Sequence, residues 1–146
     1  MNRHLIALLA GGILLLGAAT AQAALPQEAT LYKNPQCGCC DAYARHLETL
    51  GIAVTVVDDI ELGEIKQAAG VPYGLGACHT VSLGDYWIEG HVPLAAVESL
   101  FEERPATAGI GLAGMPLGTP GMPGPQREPY EVYRFEDHQA SPYMTL

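Results

Sequence analysis

Three cysteines within four positions constrain this chain more than any other feature of its sequence. Cys37, Cys39 and Cys40 follow the segment Thr30-Leu31-Tyr32-Lys33, whose composition predicts a short strand. Beyond them, apolar residues recur with a helical period at positions 40, 43, 44, 47 and 50. The cysteines therefore mark a strand–helix junction, where the N-terminus of a helix favours the thiolate form of cysteine.

The remaining patterns predict a single α/β domain. In chain order they are a buried strand at 52–57, a helix ending at Gly70, a hairpin of strands at 80–83 and 86–89, and a helix between Pro93 and Pro105. This order, with cysteines at the first strand–helix junction, is thioredoxin-like, with the first two strands parallel and the hairpin antiparallel. In that fold the loop before the third strand faces the first helix. Thioredoxins carry a cis-proline there, whereas this chain has Cys78 and His79, so we expect Cys78 beside the other three cysteines.

The C-terminal part has a different composition. Six glycines and four prolines fall within 109–125, which predicts an extended loop rather than a helix. Met115 and Met122 stand in two Gly-Met-Pro triplets of this loop, and a last strand is predicted at 131–135. The sequence thus predicts one domain over 24–146 with a Gly/Pro/Met-rich C-terminal extension.

The first 23 residues have the features of a secretory signal peptide. Arg3 precedes an apolar run at 5–19, and Ala21-Gln22-Ala23 gives the small-x-small pattern of a cleavage site. The run is shorter than the ~20 residues that span a bilayer, which disfavours a membrane anchor. We therefore expect cleavage near Ala23 and a periplasmic or secreted location, an oxidising compartment in which disulfides form.

The charge of the chain argues against two classes of partner. Sixteen acidic residues stand against seven basic ones, a formal net charge of −9. Nucleic acids and anionic membrane surfaces both require a basic face, so we expect the chain to bind neither. The acidic residues are scattered along the sequence, and we expect most of them on solvated faces.

The four cysteines allow three interpretations. Two structural disulfides suit the compartment, but three clustered cysteines cannot close two long loops, so at most one bridge from the cluster to Cys78 would staple a structural or adaptor domain. Cys37-x-x-Cys40 has the spacing of a thiol–disulfide oxidoreductase, although Cys39 and Cys78 would form competing bridges. The third interpretation is a soft-metal site that uses all four thiols.

A copper site fits the donor set best. We expect the neighbouring side chains of Cys39 and Cys40 to diverge, so thiolates that bridge several Cu(I) ions fit better than one tetrahedral zinc ion. Imidazole and thioether groups also bind copper, although the methionines could equally pack the loop against the domain. The candidate ligands are Cys37, Cys39, Cys40, Cys78, His79, His91, Met115 and Met122.

Taken together, these motifs resemble the CopG-type copper-resistance proteins. The matching stretches are Tyr32-Lys33-Asn34-Pro35-x-Cys37-Gly38-Cys39-Cys40, Val71-Pro72, Ala77-Cys78-His79-Thr80, Ile88-Glu89-Gly90-His91-Val92-Pro93, Gly114-Met115-Pro116 and Pro120-Gly121-Met122. The resemblance runs from about Leu31 to Tyr133. Beyond Phe135 the sequence departs from the family, because residues 137–142 are expected to break its strand–turn–strand ending.

The resemblance implies a thioredoxin-like, periplasmic copper-binding protein that serves copper resistance. The four cysteines would hold a multinuclear, sulfur-bridged Cu(I) cluster, and interconversion of Cu(I) and Cu(II) is a further role suggested for the family. The other four candidate ligands, His79, His91, Met115 and Met122, stand in the stretches that match the family. The implied partners are copper ions and a copper-handling or redox protein, and the resemblance leaves open whether the chain is a copper oxidoreductase or a binding protein.

Overall fold

The computed structural model describes residues 24–146, so the predicted signal peptide lies outside the described residues. The elements are β1 (Glu28–Lys33), α1 (Gly38–Glu48), β2 (Ala53–Asp58), α2 (Leu62–Ala68), β3 (His79–Leu83), β4 (Tyr86–Glu89), α3 (Leu94–Glu103), β5 (Gly109–Leu112), β6 (Glu131–Glu136) and β7 (Gln139–Thr145). All the strands join one sheet in the order β2-β1-β3-β4-β5-β6-β7. The predicted α/β class is confirmed. Among the described helices, none has the length and apolar character needed to cross a bilayer.

Strand pairing explains how two distant cysteine motifs meet. β1 and β2 are parallel and β3 and β4 form an antiparallel hairpin, as the sequence predicts. β1 is also antiparallel to β3, and Lys33 at the end of β1 pairs with His79 at the start of β3. Cys37 follows the first of these residues and Cys78 precedes the second, so the sheet register brings both motifs to the same end of the sheet.

The helices α1 and α3 each bury one apolar face. The buried residues are Cys40, Tyr43, Ala44 and Leu47 in α1, and Ala96, Val97, Leu100 and Phe101 in α3. They pack in one core with Leu31, Val81 and Ile88 of the central strands. Burial of a leucine-sized side chain contributes about 1.5–3 kcal/mol. The core therefore fixes α1, and with it the first turn that carries two cysteines.

The strand β2 is not buried, contrary to the prediction from its β-branched sequence. Its residues are exposed or half-buried, with Val56 41% exposed, and Ile52 just before the strand is the residue that reaches the core. β2 lies at the edge of the sheet beside β1. β-branched residues fit any pleated, half-covered surface, so their presence does not distinguish an edge strand from a central one.

The prediction of a loop at 109–125 is wrong for its first four residues. Residues 109–112 form β5, which is buried and pairs in parallel with β4. Two glycines in four residues lower the strand propensity of this segment, so its composition obscured the strand. The remainder of the loop contains no regular helix or strand among the described residues.

The prediction that residues 137–142 break the C-terminal strand–turn–strand unit is also wrong. β6 and β7 form a hairpin around Asp137 and His138, whose φ angles of 47° and 62° are left-handed. Asp and His adopt this conformation more readily than most residues. Pro142 lies in β7 at the edge of the sheet, where its missing N–H is tolerated.

Gly109 is expected to resist substitution because of a close backbone approach. A Cβ at this position would collide with the Trp87 carbonyl oxygen and lie 2.8 Å from Phe135. We expect Gly109→Ala to lower the free energy of unfolding by about 1–3 kcal/mol. Gly63→Ala is the matched control, because no atom lies within 4 Å of its new Cβ, and it should stabilise α2 by roughly 0.5–1 kcal/mol. Urea denaturation measures both, and equal effects would contradict the packing argument.

Candidate metal centre

The four cysteines converge where β1 ends and β3 begins. Cys37 is the N-cap residue of α1, Cys39 and Cys40 lie in its first turn, and Cys78 directly precedes β3. All four Sγ atoms lie within 4.8 Å of one another. The predicted proximity of Cys78 to the cluster is confirmed.

Two of the cysteines are bridged and two are free. Cys37 and Cys40 form a disulfide with their Cα atoms 5.4 Å apart, and Cys39 and Cys78 are free thiols. The Sγ atom of Cys39 lies 3.4 Å from that of Cys37 and 4.0 Å from that of Cys78. A bridge between residues three positions apart closes only a short loop, so it is not the long-range staple that a structural role requires.

The sulfur separations correct the expectation that Cys39 and Cys40 diverge too far to share an ion. Cys40 is fully buried and Cys39 is half-buried, yet their Sγ atoms lie within 4.8 Å of each other. Sulfur atoms about 2.3 Å from one tetrahedral ion are roughly 3.8 Å apart. After reduction of the disulfide, the thiolates could therefore surround one ion or bridge several.

Two buried histidines extend the donor set beside Cys78. One ring nitrogen of His79 and one of His91 lie within 4.8 Å of the Cys78 Sγ atom and of each other. The Nδ1–H of His91 donates to the Pro120 carbonyl oxygen at 2.8 Å, which leaves its Nε2 free of a proton and 4.0 Å from the Cys78 sulfur. Both nitrogens of His79 are buried without a hydrogen-bond partner. A buried imidazole without a partner is costly, and a metal ion would satisfy it.

Burial sets the protonation states of these groups. Burial first, and the neighbouring His91 second, lower the pKa of His79 to about 3, so its imidazole is neutral at pH 7. Burial also lowers the pKa of His91, although its hydrogen bond to Pro120 opposes the shift. Burial, together with the nearby Cys39, raises the pKa of the Cys78 thiol to about 11. A metal ion that binds Cys78 must therefore displace a proton.

The metal-free protein is expected to lose stability in acid because of His79. Its folded pKa of about 3 lies below the ordinary value of 6.5, so the unfolded chain binds one more proton between these pH values. Stability should rise with pH across that window, by at most about 1.4 kcal/mol per pH unit from this residue. The side chains of His91, Cys78 and Lys66 surround the His79 imidazole and also contribute to the pH dependence of the measured stability. The contribution of His79 is therefore isolated by comparing the wild type with His79→Leu. Urea denaturation with a chelator present should show a steeper slope for the wild type, and identical slopes would exclude this role.

The two methionines of the C-terminal loop have different surroundings. The Met115 sulfur lies 3.7 Å from the Cys78 Sγ atom, and the Met115 side chain is 53% exposed. Met122 lines a surface groove of about 540 Å³ together with His46 of α1. Met115 is therefore the methionine that the structure brings to Cys78.

The second Gly-Met-Pro triplet holds the loop against α1. Gly121 has a φ of +85°, and a Cβ there would lie 2.7 Å from the Cys39 carbonyl oxygen and 3.0 Å from the Tyr43 amide nitrogen. Glycine alone combines this conformation with so close an approach. The contact also places the Pro120 carbonyl against His91. For the triplet that contains Met122, the structure therefore favours packing of the loop against the domain over a role in binding copper.

A buried ion pair behind Cys78 escaped the sequence interpretation. Lys66 of α2 donates to Glu89 of β4 at 2.5 Å, and Glu89 is fully buried. Burial raises the pKa of Glu89, and Lys66 opposes the shift. The expectation of solvated carboxylates fails here because β4 is a central strand. Its place in the predicted hairpin was the signal that could have indicated burial.

A buried lysine supports the Cys37 side of the site. Lys33, 4% exposed, forms ion pairs with Asp58 at 2.9 Å and with Asp41 at 3.3 Å. The hydrogen bond that Lys33 donates to the Asp58 carboxylate is the main reason that the pKa of Lys33 is raised, and burial opposes the shift. The Lys33 ammonium also donates to the Pro35 carbonyl oxygen at 3.3 Å. It thus connects the end of β1 to β2, to α1 and to the turn that leads to Cys37.

Comparison with known proteins identifies the family. Two solved structures, "Copper resistance protein copG- Form 1" and "Copper resistance protein copG- Form 2", share 35% and 34% sequence identity with this chain. Each superposes on it with a TM-score of 0.74, and the match covers 83% of this chain and 98% of the solved chain. The chain belongs to the CopG family. A family model described as "Protein of unknown function, DUF411" also matches residues 75–122. No match is found among curated proteins.

Membership of the CopG family confirms the resemblance drawn from the sequence motifs. The segment matched by the family model contains one cysteine, Cys78, together with His79, His91 and both loop methionines. The structures of the CopG proteins align over a much longer stretch. The family model therefore matches the stretch around Cys78 and not the stretch that carries the other three cysteines.

Proposed function

We propose that this CopG-family protein holds several Cu(I) ions in a cluster bridged by its four cysteines, and that it serves copper resistance in the periplasm. The observation that carries the proposal is the convergence of the four Sγ atoms within 4.8 Å. Thiolates are soft ligands that favour Cu(I) over hard cations. The solved relatives are named as copper resistance proteins.

The number of donors supports more than one ion. Cys78 belongs both to the group of four cysteines and to the group it forms with His79 and His91. The Met115 sulfur is also within 3.7 Å of Cys78. Four thiolates, two imidazoles and one thioether exceed the four positions of a tetrahedral ion. A cluster in which Cys78 bridges neighbouring ions uses all of these donors.

The disulfide between Cys37 and Cys40 suggests how the site would interconvert the two oxidation states of copper. Two Cu(I) ions that each give one electron to this disulfide become two Cu(II) ions, and the disulfide becomes two thiolates. In the reverse direction the two thiolates reduce two Cu(II) ions and form the disulfide again. This exchange supports a copper oxidoreductase role in addition to binding.

The same proposal includes two further statements: the first four strands are arranged as in thioredoxin, and the protein is located in the periplasm. The order β2-β1-β3-β4, with β1 parallel to β2 and antiparallel to β3, supports the description. Cys78 replaces the expected cis-proline, and the described residues contain no cis peptide bond. The charged, apolar and small-residue segments of residues 1–23 support export.

The proposal is tested by titrating the fully reduced protein with Cu(I) under anaerobic conditions. Bound copper is counted per chain while free thiols are counted by alkylation. We expect several ions per chain and protection of all four thiols together. Protein whose Cys37–Cys40 disulfide is left intact serves as the control and should bind less copper. One tightly bound ion, or none, would contradict the multinuclear proposal.

Thiol–disulfide exchange with a protein partner is the second candidate function. It is favoured by the disulfide between the two cysteines of the Cys37-x-x-Cys40 motif at the start of α1. This function requires turnover in metal-free protein that depends on Cys37 and Cys40 alone. A disulfide-reduction assay on Cys78→Ser separates the two, because the exchange activity should survive this change and the copper cluster should not.

A further inference from the structure

The segment that carries Cys78 and His79 is held on both sides by one buried ion pair. Glu89 Oε1 accepts a hydrogen bond from the Ala77 amide at 2.6 Å, and Glu89 Oε2 accepts one from the Thr80 hydroxyl at 2.7 Å. Lys66 donates to the same Thr80 hydroxyl oxygen at 2.7 Å. The pair therefore contacts residues immediately before Cys78 and just after His79.

This arrangement joins three elements of the fold at one point. Lys66 comes from α2, Glu89 from the end of β4, and the segment 77–80 leads into β3. Lys66 also donates to the carbonyl oxygen of His79 at 3.4 Å, and the Glu89 side chain has no exposed surface. Because each carboxylate oxygen accepts a hydrogen bond from the segment, the segment cannot shift without leaving a buried carboxylate oxygen short of a donor.

Stability alone is a weak reason to bury such a pair. The cost of removing two charges from water offsets much of their attraction, and apolar residues of similar size are often as stable. What the pair does provide is directional hydrogen bonds that an apolar contact lacks. Cys78 needs such fixation because it is the one cysteine of the four that does not lie at the start of α1.

We propose that Lys66 and Glu89 are positioning residues for the copper site, holding Cys78 and His79 at the place where their donor atoms meet the other three cysteines. This inference rests on the proposed copper-binding function. Neither residue is proposed as a ligand, because both carboxylate oxygens and the ammonium are already engaged with each other and with the segment 77–80. Their effect on copper is exerted through the placement of Cys78.

The test measures Cu(I) affinity by competition with a chromophoric Cu(I) chelator, using reduced protein under anaerobic conditions. Glu89→Gln and Lys66→Met should each weaken Cu(I) binding by about 10–100-fold, the usual cost of losing a group that orients a ligand. Lys66→Arg keeps the cation, so its Cu(I) affinity should stay within about threefold of that of the wild type. The thiolate-to-copper charge-transfer absorption, recorded at equal copper loading, should change in the first two variants and not in the third.

A stability control separates positioning from general destabilisation. Phe101→Leu removes the edge-to-face contact with Tyr86, at the end of the β3–β4 hairpin away from Cys78. It should lower the unfolding midpoint while leaving Cu(I) affinity and the absorption spectrum unchanged. Folded Glu89→Gln and Lys66→Met proteins that both match the wild type in affinity and spectrum would overturn the positioning role. A wild type that fails to bind Cu(I) would instead overturn the proposed function together with this inference.

Discussion

Replacement of Cys78 by serine is expected to abolish most Cu(I) binding, with an affinity loss greater than the ~10–100-fold caused by removing a supporting residue. Cys78 belongs to both groups of donors, so its loss removes a bridge as well as a ligand. A serine hydroxyl is a hard oxygen donor and replaces a thiolate poorly for Cu(I). Chelator competition and copper counting on reduced protein measure the change.

Cys39→Ser provides the graded comparison for this prediction. Cys39 is a free thiol within 4.0 Å of Cys78, but it belongs to the cysteine group alone. We therefore expect Cys39→Ser to retain more copper per chain than Cys78→Ser. Equal losses in the two variants would contradict a bridging role for Cys78. Unchanged copper in Cys78→Ser would remove Cys78 from the site altogether.

Lys66→Met is expected to lower the free energy of unfolding of the metal-free protein by about 3–5 kcal/mol. The substitution leaves the fully buried Glu89 without its cation, although the Ala77 amide and the Thr80 hydroxyl still donate to it. Uncompensated burial of a carboxylate is the reason for so large an effect. Urea denaturation of chelator-treated protein measures it.

The double variant Lys66→Met/Glu89→Leu distinguishes an unpaired charge from lost packing. Removing both charges should recover a large part of the stability lost in Lys66→Met, because apolar pairs often replace buried ion pairs at little cost. If the pair positions Cys78, the affinity of this double variant for Cu(I) should remain below that of the wild type even though its stability has recovered. A double variant as unstable as Lys66→Met would show that the methylene packing of Lys66, and not the charge of Glu89, carries the effect.

Topology made the main features of the site predictable from sequence. The alternation of strands and helices placed Cys78 at the start of β3, opposite the first turn of α1, and the described structure has all four sulfur atoms together. The helical period also located the four buried residues of α1. Such predictions succeed because the order of the elements sets β3 beside β1 and antiparallel to it, so that the end of β1 meets the start of β3.

The failures occurred where local composition opposed the tertiary structure. β5 contains two glycines and β7 contains Pro142, yet both pair within the sheet because neighbouring strands supply what propensity lacks. Glu89 is buried because Lys66, more than twenty positions away in sequence, neutralises it. No periodic pattern encodes a partner at that separation. The Cys37–Cys40 disulfide likewise was one of several pairings that the spacing allowed.

X-ray absorption at the copper edge of the Cu(I)-loaded, reduced protein tests the central claim most directly. The proposed cluster requires scattering dominated by sulfur at about 2.3 Å together with a short copper–copper vector, and the copper–copper vector should disappear in Cys78→Ser. Sulfur scattering without a copper–copper vector would mean a single ion among the four thiolates. A first shell of nitrogen and oxygen alone would contradict the account, because the four cysteines would then take no part in holding copper.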